Sequence, residues 1–267
     1  MNICELKQEY QRILDMPLMK YETIRMEFLH LIRENEQDTR KGIVAVLKQA
    51  EKKIREIDQE IERVRGMMTY EKKFEEYHAI CGIDEVGRGP LAGPVLTAAV
   101  ILPKGLVIPK LNDSKQVPRK MREELYDIIM NNAVAVSVGM NSEKVIDEKG
   151  IEFANKDAMR QAIAGLTTKP DLLLVDAVKI PGVDIPQESI IKGDAKSVSI
   201  AAASIIAKVT RDRLMVEYDA KYPEYGFADN MGYGSAAHLE ALKKYGPCPI
   251  HRECYIRKIM ERFAEEG

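Results

Sequence analysis

The feature that most constrains the fold of this chain is a change of texture near residue 70. Residues 1 to about 70 hold one proline, Pro17, and two glycines, Gly42 and Gly66. They are dense in Glu, Lys, Arg, Leu and Ile, residues that suit a helix. Within them Ile43, Leu47, Ala50, Ile54, Ile57, Ile61 and Val64 follow a 4-3-4-3-4-3 spacing. That is a heptad seam about three repeats long. Leu6, Tyr10 and Ile13, then Ile24, Phe28 and Leu31, predict two shorter helices. A seam of this kind must be covered, so a small helical hairpin or bundle is expected, closed within the chain or by a partner.

From about residue 71 short β-like runs appear, at 79–83, 95–102, 133–140, 172–175 and 189–192. Helical patterns lie between and after them, at 119–131, 152–166, 197–219, 235–244 and 255–264. Three strands followed by strands alternating with helices predict a mixed α/β sheet of five strands flanked by helices. The expected organisation is therefore an all-helical extension over 1–70 and a sheet domain with C-terminal helices over 71–267.

The net charge of −2 does not announce a nucleic-acid binder, although 31% of the residues are charged. Any basic surface must be local, or bound cations must mask the acids. Cys4, Cys81, Cys248 and Cys254 are too few and too scattered for a disulfide scaffold. The N-terminus lacks the pattern of a signal peptide, and no apolar run approaches the roughly 20 residues of a membrane helix. A soluble, cytoplasmic protein is expected.

The sharpest local feature is Gly82-Ile83-Asp84-Glu85-Val86-Gly87-Arg88-Gly89-Pro90. An apolar strand runs into two acids and then into a glycine-rich turn around an arginine. Successive side chains on a strand point to opposite faces, so a shared site for Asp84 and Glu85 requires the strand to end or distort there. The plain alternative is an exposed turn with ordinary surface charges. A second acid, Asp176, ends the apolar run Leu172-Leu173-Leu174-Val175, where open α/β sheets place ligands. It could equally be a cap. A third, Asp194, lies in Lys192-Gly193-Asp194-Ala195-Lys196-Ser197, ahead of a helix marked by Val198, Ala201, Ala202, Ile205, Ile206 and Val209. The helix dipole would keep Asp194 ionised, and an N-cap role is open to it as well.

Crowded carboxylates repel one another, and bound divalent cations resolve the conflict. Oxygen donors without clustered His or Cys favour Mg2+ or Mn2+ over zinc. Carboxylate sites with two such ions suit phosphoryl transfer, one ion activating water and the other stabilising the leaving oxygen. Cys248, His251 and Cys254 form a C-x2-H-x2-C pattern that hints at zinc but lacks a fourth ligand nearby. No G-x-S-x-G elbow and no P-loop occur.

Several of these segments together resemble one family. GIDEVGRGP at 82–90 is similar to the signature of type 2 ribonucleases H, the bacterial ribonuclease HII group. Asn112-Asp113-Ser114-Lys115 resembles the family's DSK segment, Asp176 falls at its acid after a core strand, and 192–212 resembles its longest motif. Gly232-Tyr233-Gly234 and the run at 245–252 continue the match, so the resemblance covers about 75–262.

The resemblance implies an RNase H-like fold. It implies that Asp84, Glu85, Asp176 and Asp194 are catalytic and hold Mn2+ or Mg2+. It implies that Gly87, Arg88 and Gly89 recognise the ribonucleotide 2′-hydroxyl, the group that separates RNA from DNA. Tyr233 would pack on the sugar at the RNA–DNA junction, where a half-buried core tyrosine is the alternative. Lys115, Lys192 and Lys196 would contact phosphates or stand as solvated surface charges.

Ser235 stands where the family often has threonine, and it keeps the hydroxyl. The helical residues 1–70 lie outside the common core, and in some bacterial members a similar extension is associated with holding substrate. The sister type, ribonuclease HIII, carries a β-rich N-terminal domain, which the helical pattern here opposes. The implied activity is endonucleolytic cleavage of RNA in RNA–DNA hybrids and 5′ to ribonucleotides embedded in duplex DNA. It would leave 3′-hydroxyl and 5′-phosphate ends and would belong to ribonucleotide excision and DNA replication. A monomer without membrane contact is expected. The rival readings are a ribonuclease HIII-type nuclease, a catalytically silent hybrid-binding module, and a DNA resolvase on the same fold.

Overall fold

The structure is a computed structural model that describes residues 2–265. Met1 of the expected extension, and Glu266 and Gly267 of the expected sheet domain, lie outside the described residues. The chain divides into two compact units, Met1–Met67 with Val107–Lys110, and Met68–Leu106 with Leu111–Gly267.

The first unit is built from helices α1 (Ile3–Leu14), α2 (Tyr21–Asn35) and α3 (Lys41–Gly66). A capping box starts α1: the Asn2 side chain accepts from the N–H groups of Cys4 and Glu5, and Glu5 accepts from the Asn2 N–H. Ile43, Leu47, Ala50 and Ile54 of the α3 seam join Leu6 and Ile13 of α1 and Phe28 and Leu31 of α2 in one apolar core. The first half of the seam is thus covered by this chain's own helices.

The second unit begins with the short helix α4 (Thr69–Lys73) and strands β1 (Ile80–Val86) and β2 (Val95–Ile101). Helix α5 (Arg119–Asn132), strand β3 (Ala135–Asn141), and helices α6 (Glu143–Lys149) and α7 (Ile151–Ala164) follow. Next come β4 (Leu172–Asp176), β5 (Gln187–Ile190) and the long helix α8 (Val198–Lys221). Helices α9 (Phe227–Asn230), α10 (Ala236–Tyr245) and α11 (Glu253–Glu265) close the chain. The strands form one mixed sheet in the order β3-β2-β1-β4-β5. β1 runs antiparallel to β2 and parallel to β4.

Strand alternation sorts the core into two layers. Cys81 and Ile83 of β1 pack with Leu173 and Val175 of β4 and with Met159 and Ala162 of α7. Ile80 packs on the other face with Leu172, Leu174 and Ile200 of α8. The small residues of α8 permit a very close approach, as does Gly82, which faces the helix backbone at Ser199.

Two elements differ from the expectation. β1 continues to Val86, three residues beyond its apolar run, because β2 pairs with it through Val86↔Leu96. β5 ends at Ile190, and the next two residues leave the sheet: Ile191 is exposed and Lys192 adopts a left-handed conformation (φ 56°, ψ 49°).

Candidate active site

The four acids singled out in the sequence come to one end of the central strands. Pairing between β1 and β4 stops at Ile83↔Val175, and the next position on each strand is Asp84 and Asp176. Both follow the parity of Gly82 and Leu174, so they share the α8 face. Glu85 has the opposite parity, and its carboxylate lies beside Asn155 of α7 and pairs with Arg88 at 3.4 Å.

The expectation that β1 must end or distort at these acids is therefore corrected. Its register with β2 is unbroken from Cys81↔Ile101 to Val86↔Leu96. What ends is its neighbour β4, which opens that edge of β1 beside the acids.

Asp194 lies in a 3-10 turn, Gly193–Ala195, just before α8 and is buried. It is not the helix cap. Ser197 is the N-cap, accepting from the Ile200 N–H at 3.2 Å, and Glu71 accepts from the Ser197 hydroxyl and from the Ser199 N–H. With those donors satisfied, the helix terminus does not bring the Asp194 pKa below its ordinary value, as the sequence led one to expect. Burial raises its pKa, and the charges of Asp113 and Asp176 raise it further against the opposing pull of Lys115. The turn is tied to β4 by the Gly193 N–H, which donates to Asp176 Oδ1 at 2.8 Å.

The electrostatics mark the cluster as a charge trap. Burial pushes the Asp84 carboxyl up to about 8, and Glu85 and Asp176 add to the effect, while a hydrogen bond from Ser204 works against it. Burial also raises Glu85, with Arg88 opposing. Glu85 Oε2 is buried and has no hydrogen-bond partner. Burial disfavours the charge of Lys115, yet Asp113, Asp84, Asp194 and Asp176 outweigh it and raise its pKa.

Oxygen donors, mutual repulsion and an orphaned buried carboxylate oxygen fit a hard divalent cation. Among the described residues no three His, Cys, Asp or Glu side chains already stand in coordination geometry.

The glycine loop is held from below by two fully buried arginines. Arg252 donates to the carbonyls of Gly87, Arg88 and Gly93. Arg211 donates to those of Ala92, Pro94 and Met231. Gly87 has φ +87°, and a Cβ there would lie 2.4 Å from Arg211 Nε, so glycine is required. A Cβ on Gly89 would lie 3.9 Å from Tyr233 Cε1, which places the largely exposed Tyr233 ring beside the loop.

Lys192 and Lys196 are exposed on the turn that carries Asp194, and Lys196 Nζ donates to the Ile191 carbonyl at 2.9 Å. The Ser235 hydroxyl accepts from the His238 N–H as the N-cap of α10. Cys248 and His251 touch each other, whereas Cys254 is turned to Asp147. The sequence reading did not assign site roles to Asp113, Asn155, Ser204, Arg211 or Arg252. Asp113 lies in the Asn112–Lys115 segment, Ser204 and Arg211 in the motif at 192–212 and Arg252 in the run at 245–252, whereas Asn155 lies in none of the matched motifs.

Comparison with known proteins agrees with this architecture. Residues 81–258 match the family model described as ribonuclease HII, and residues 19–75 match that of the ribonuclease HII N-terminal domain. Ribonuclease HII of Lachnoclostridium phytofermentans is 56% identical over 222 residues, covering 83% of this chain and 87% of the relative. The crystal structure of the ribonuclease H2 from Pyrococcus horikoshii OT3 superposes with a TM-score of 0.60 at 30% identity, over 70% of this chain and 99% of that one. Bst-RNase HIII in complex with Mn2+ shares the fold, with a TM-score of 0.50 at 19% identity, over 70% of this chain and 64% of that one. No helix among the described residues is long and apolar enough to cross a membrane. With both its sheet and its helical region matched, this chain belongs to the ribonuclease HII family, a family of ribonuclease H hydrolases.

Proposed function

We propose that this chain is an endonuclease that hydrolyses RNA in RNA–DNA hybrids and cuts 5′ to ribonucleotides embedded in duplex DNA. The cut leaves a 3′-hydroxyl and a 5′-phosphate. The observation that carries this reading is the adjacency of Asp84 and Asp176 at the ends of two paired parallel strands, with Glu85 and Asp194 electrically coupled to Asp176. Catalysis belongs in this reading to residues 71–267, with residues 1–70 as the helical extension.

Asp84, Glu85, Asp176 and Asp194 would hold Mg2+ or Mn2+. Two such ions, when bound, supply a nucleophilic water at neutral pH and stabilise charge on the leaving oxygen. The protein's own part is to present the carboxylates. Arg88 orients Glu85, the Glu85 N–H orients Asp84 and the Gly193 N–H orients Asp176, with Asn155 beside Glu85 and Ser204 beside Asp84.

The loop reads the ribose. The carbonyls of Gly87 and Arg88 turn inward to Arg252, and that of Arg88 also accepts from Tyr255. A trans peptide points its N–H opposite to its carbonyl. The N–H groups of Arg88 and Gly89 therefore face outward, available to a 2′-hydroxyl. Tyr233 stands beside them for the neighbouring sugar; Lys115, which feels the charge of the acids, and Lys192 and Lys196, which flank Asp194 in the sequence, would meet phosphates.

The test is a nicking assay on a duplex carrying one ribonucleotide, in Mg2+ and in Mn2+, beside an all-DNA junction. Cutting 5′ to the ribonucleotide with the junction intact is expected. Undiminished hybrid cleavage by Asp84→Asn would show that the assigned site is wrong.

A further inference from the structure

Two buried histidines face each other behind Tyr233. His238 of α10 and His251 are 0% and 3% exposed, and their Nε2 atoms lie 3.0 Å apart. The outer nitrogen of each ring meets a backbone group that can play only one role. His238 Nδ1 lies 2.8 Å from the Tyr233 carbonyl, which can only accept, so that nitrogen carries a proton. His251 Nδ1 receives the Cys248 N–H at 2.9 Å, which can only donate, so that nitrogen is bare. The Cys248 carbonyl, 3.3 Å from the same nitrogen, would need a proton there that the shorter contact excludes.

Two neutral rings then have one arrangement. His251 carries its proton on Nε2 and donates it to the bare Nε2 of His238. A directed chain runs from the Cys248 N–H through His251 and His238 to the Tyr233 carbonyl.

We infer that His238 and His251 form a tautomer-locked strut that positions Tyr233 beside the Gly87–Gly89 loop, and so sets how tightly the enzyme grips the sugar at an RNA–DNA junction. The inference rests on the proposed reading of Tyr233 as a substrate contact. It concerns residues that act through Tyr233, not groups that touch the reacting atoms.

The surroundings suit uncharged rings. The Tyr225 ring meets His251 edge-on at 5.0 Å and Phe227 meets His238 at 5.3 Å. The titratable groups in the same cluster are Tyr218 of α8, Tyr222 just after that helix, Tyr225 and Cys248, with the charge of Glu224 felt at the last two. The Tyr225 hydroxyl is occupied by the Gly246 carbonyl, and the Cys248 Sγ lies 3.2 Å from the bare nitrogen of His251. Arg211, the nearby cation, is turned to backbone carbonyls. Among the described residues neither ring makes an ion pair with a carboxylate. An extra proton on His238 Nε2 would face the His251 Nε2–H at 3.0 Å, and one on His251 Nδ1 would face the Cys248 N–H at 2.9 Å, with no carboxylate paired to either ring among the described residues. Burial accordingly lowers both pKa values, that of His251 to about 4 with His238 contributing.

The first arm of the test is 15N NMR of the histidines in the full-length chain. Protons on His238 Nδ1 and His251 Nε2, with both rings neutral at pH 6, are expected. The opposite tautomers, or a charged ring at that pH, would overturn the strut.

The second arm compares KM and kcat on a single-ribonucleotide duplex and on a long hybrid. His238→Ala should raise KM about fivefold on the former, the equivalent of one neutral hydrogen bond, with little change in kcat or on the hybrid. His238→Asn, whose amide nitrogen can occupy the Nδ1 position, should recover part of the loss. Equal losses on both substrates, or no difference between Ala and Asn, would reduce the pair to ordinary core packing. Tyr233→Ala is the reference. If it leaves the junction KM unchanged, the reading of Tyr233 fails, and with it any role of the strut in substrate grip. The NMR arm still decides whether the strut exists.

Discussion

Gly82 of β1 and Ser199 of α8 touch backbone to backbone: a Cβ on Gly82 would lie 2.0 Å from the carbonyl carbon of Ser199. That contact sets how far α8 stands from the sheet, and with it the reach of Ser204 to Asp84 and the position of the turn that carries Asp194. The obstacle is backbone rather than a flexible side-chain tip, so Gly82→Ala can be relieved only by moving the helix. A loss of about 3 kcal/mol in urea unfolding is expected, the upper end of overpacking. Cleavage should fall with it. An unchanged denaturation midpoint would show that α8 yields without resistance.

Arg252 makes a second prediction. Its guanidinium spans the carbonyls of Gly87, Arg88 and Gly93 from a fully buried position, without an ion-pair partner among the described residues. A lysine ammonium is a point charge and cannot hold three carbonyls in that fan. Arg252→Lys should cost about 3 kcal/mol, since hydrogen bonds to a buried charge are lost. In the surviving folded fraction, discrimination between a single ribonucleotide and an all-DNA duplex should fall more than turnover of a long hybrid. Steady-state kinetics on the three substrates read this directly, and equal losses on all of them would argue against the loop as the ribose reader.

These two residues show where sequence reading reached its limit. The acids at strand ends were legible because an apolar run that stops on a carboxylate is a local pattern. The helical seam was legible because its period is local too. The partners of the acids were not, because Asn155, Ser204 and Asp113 reach the site only through the strand order and through which face each helix covers. Glu85 is the clearest case. Its parity was read correctly from strand geometry, but the inference that β1 must break was wrong, since the sequence of β1 says nothing of where β4 stops. Asp194 fails for a related reason: the cap it might have provided is supplied by Ser197, with Glu71 reaching in from α4.

Asp84 should make the cation-free protein less stable as pH rises. Its folded-state pKa is about 8, against an ordinary value near 3.9 in the unfolded chain. A raised carboxyl favours the fold where it keeps its proton. Its contribution is complete below about pH 4 and is lost as pH climbs through 8. In EDTA the wild-type chain should lose on the order of 2 kcal/mol more than Asp84→Asn between pH 6 and pH 8.5. The difference between the two proteins isolates Asp84 from the histidines, which titrate in the opposite sense. Added Mn2+ should raise the wild-type Tm more at pH 8.5 than at pH 6, because the cation takes the place of the proton. A wild-type chain whose pH dependence matches that of Asp84→Asn would remove the basis for a strained carboxyl here.

Asp113 gives the last test. Its Oδ1 accepts from the Lys115 N–H at 2.9 Å, an interaction the oxygen of an asparagine can keep, so Asp113→Asn can retain the turn. What the substitution removes is a negative charge and the carboxylate that accepts a hydrogen bond from protonated Asp194. Both act to raise Asp194, so removing them lowers its pKa. Asp194 then sheds its proton at lower pH, and the acid limb of the rate profile should move toward lower pH with the plateau retained in saturating Mg2+. A profile measured from pH 5 to pH 9 checks the sign. A limb that stays in place would mean that Asp194 is not the group whose ionisation limits the rate in acid. A limb that moves to higher pH would mean that the charge of Asp113 matters more for holding the cation than for burdening its neighbour.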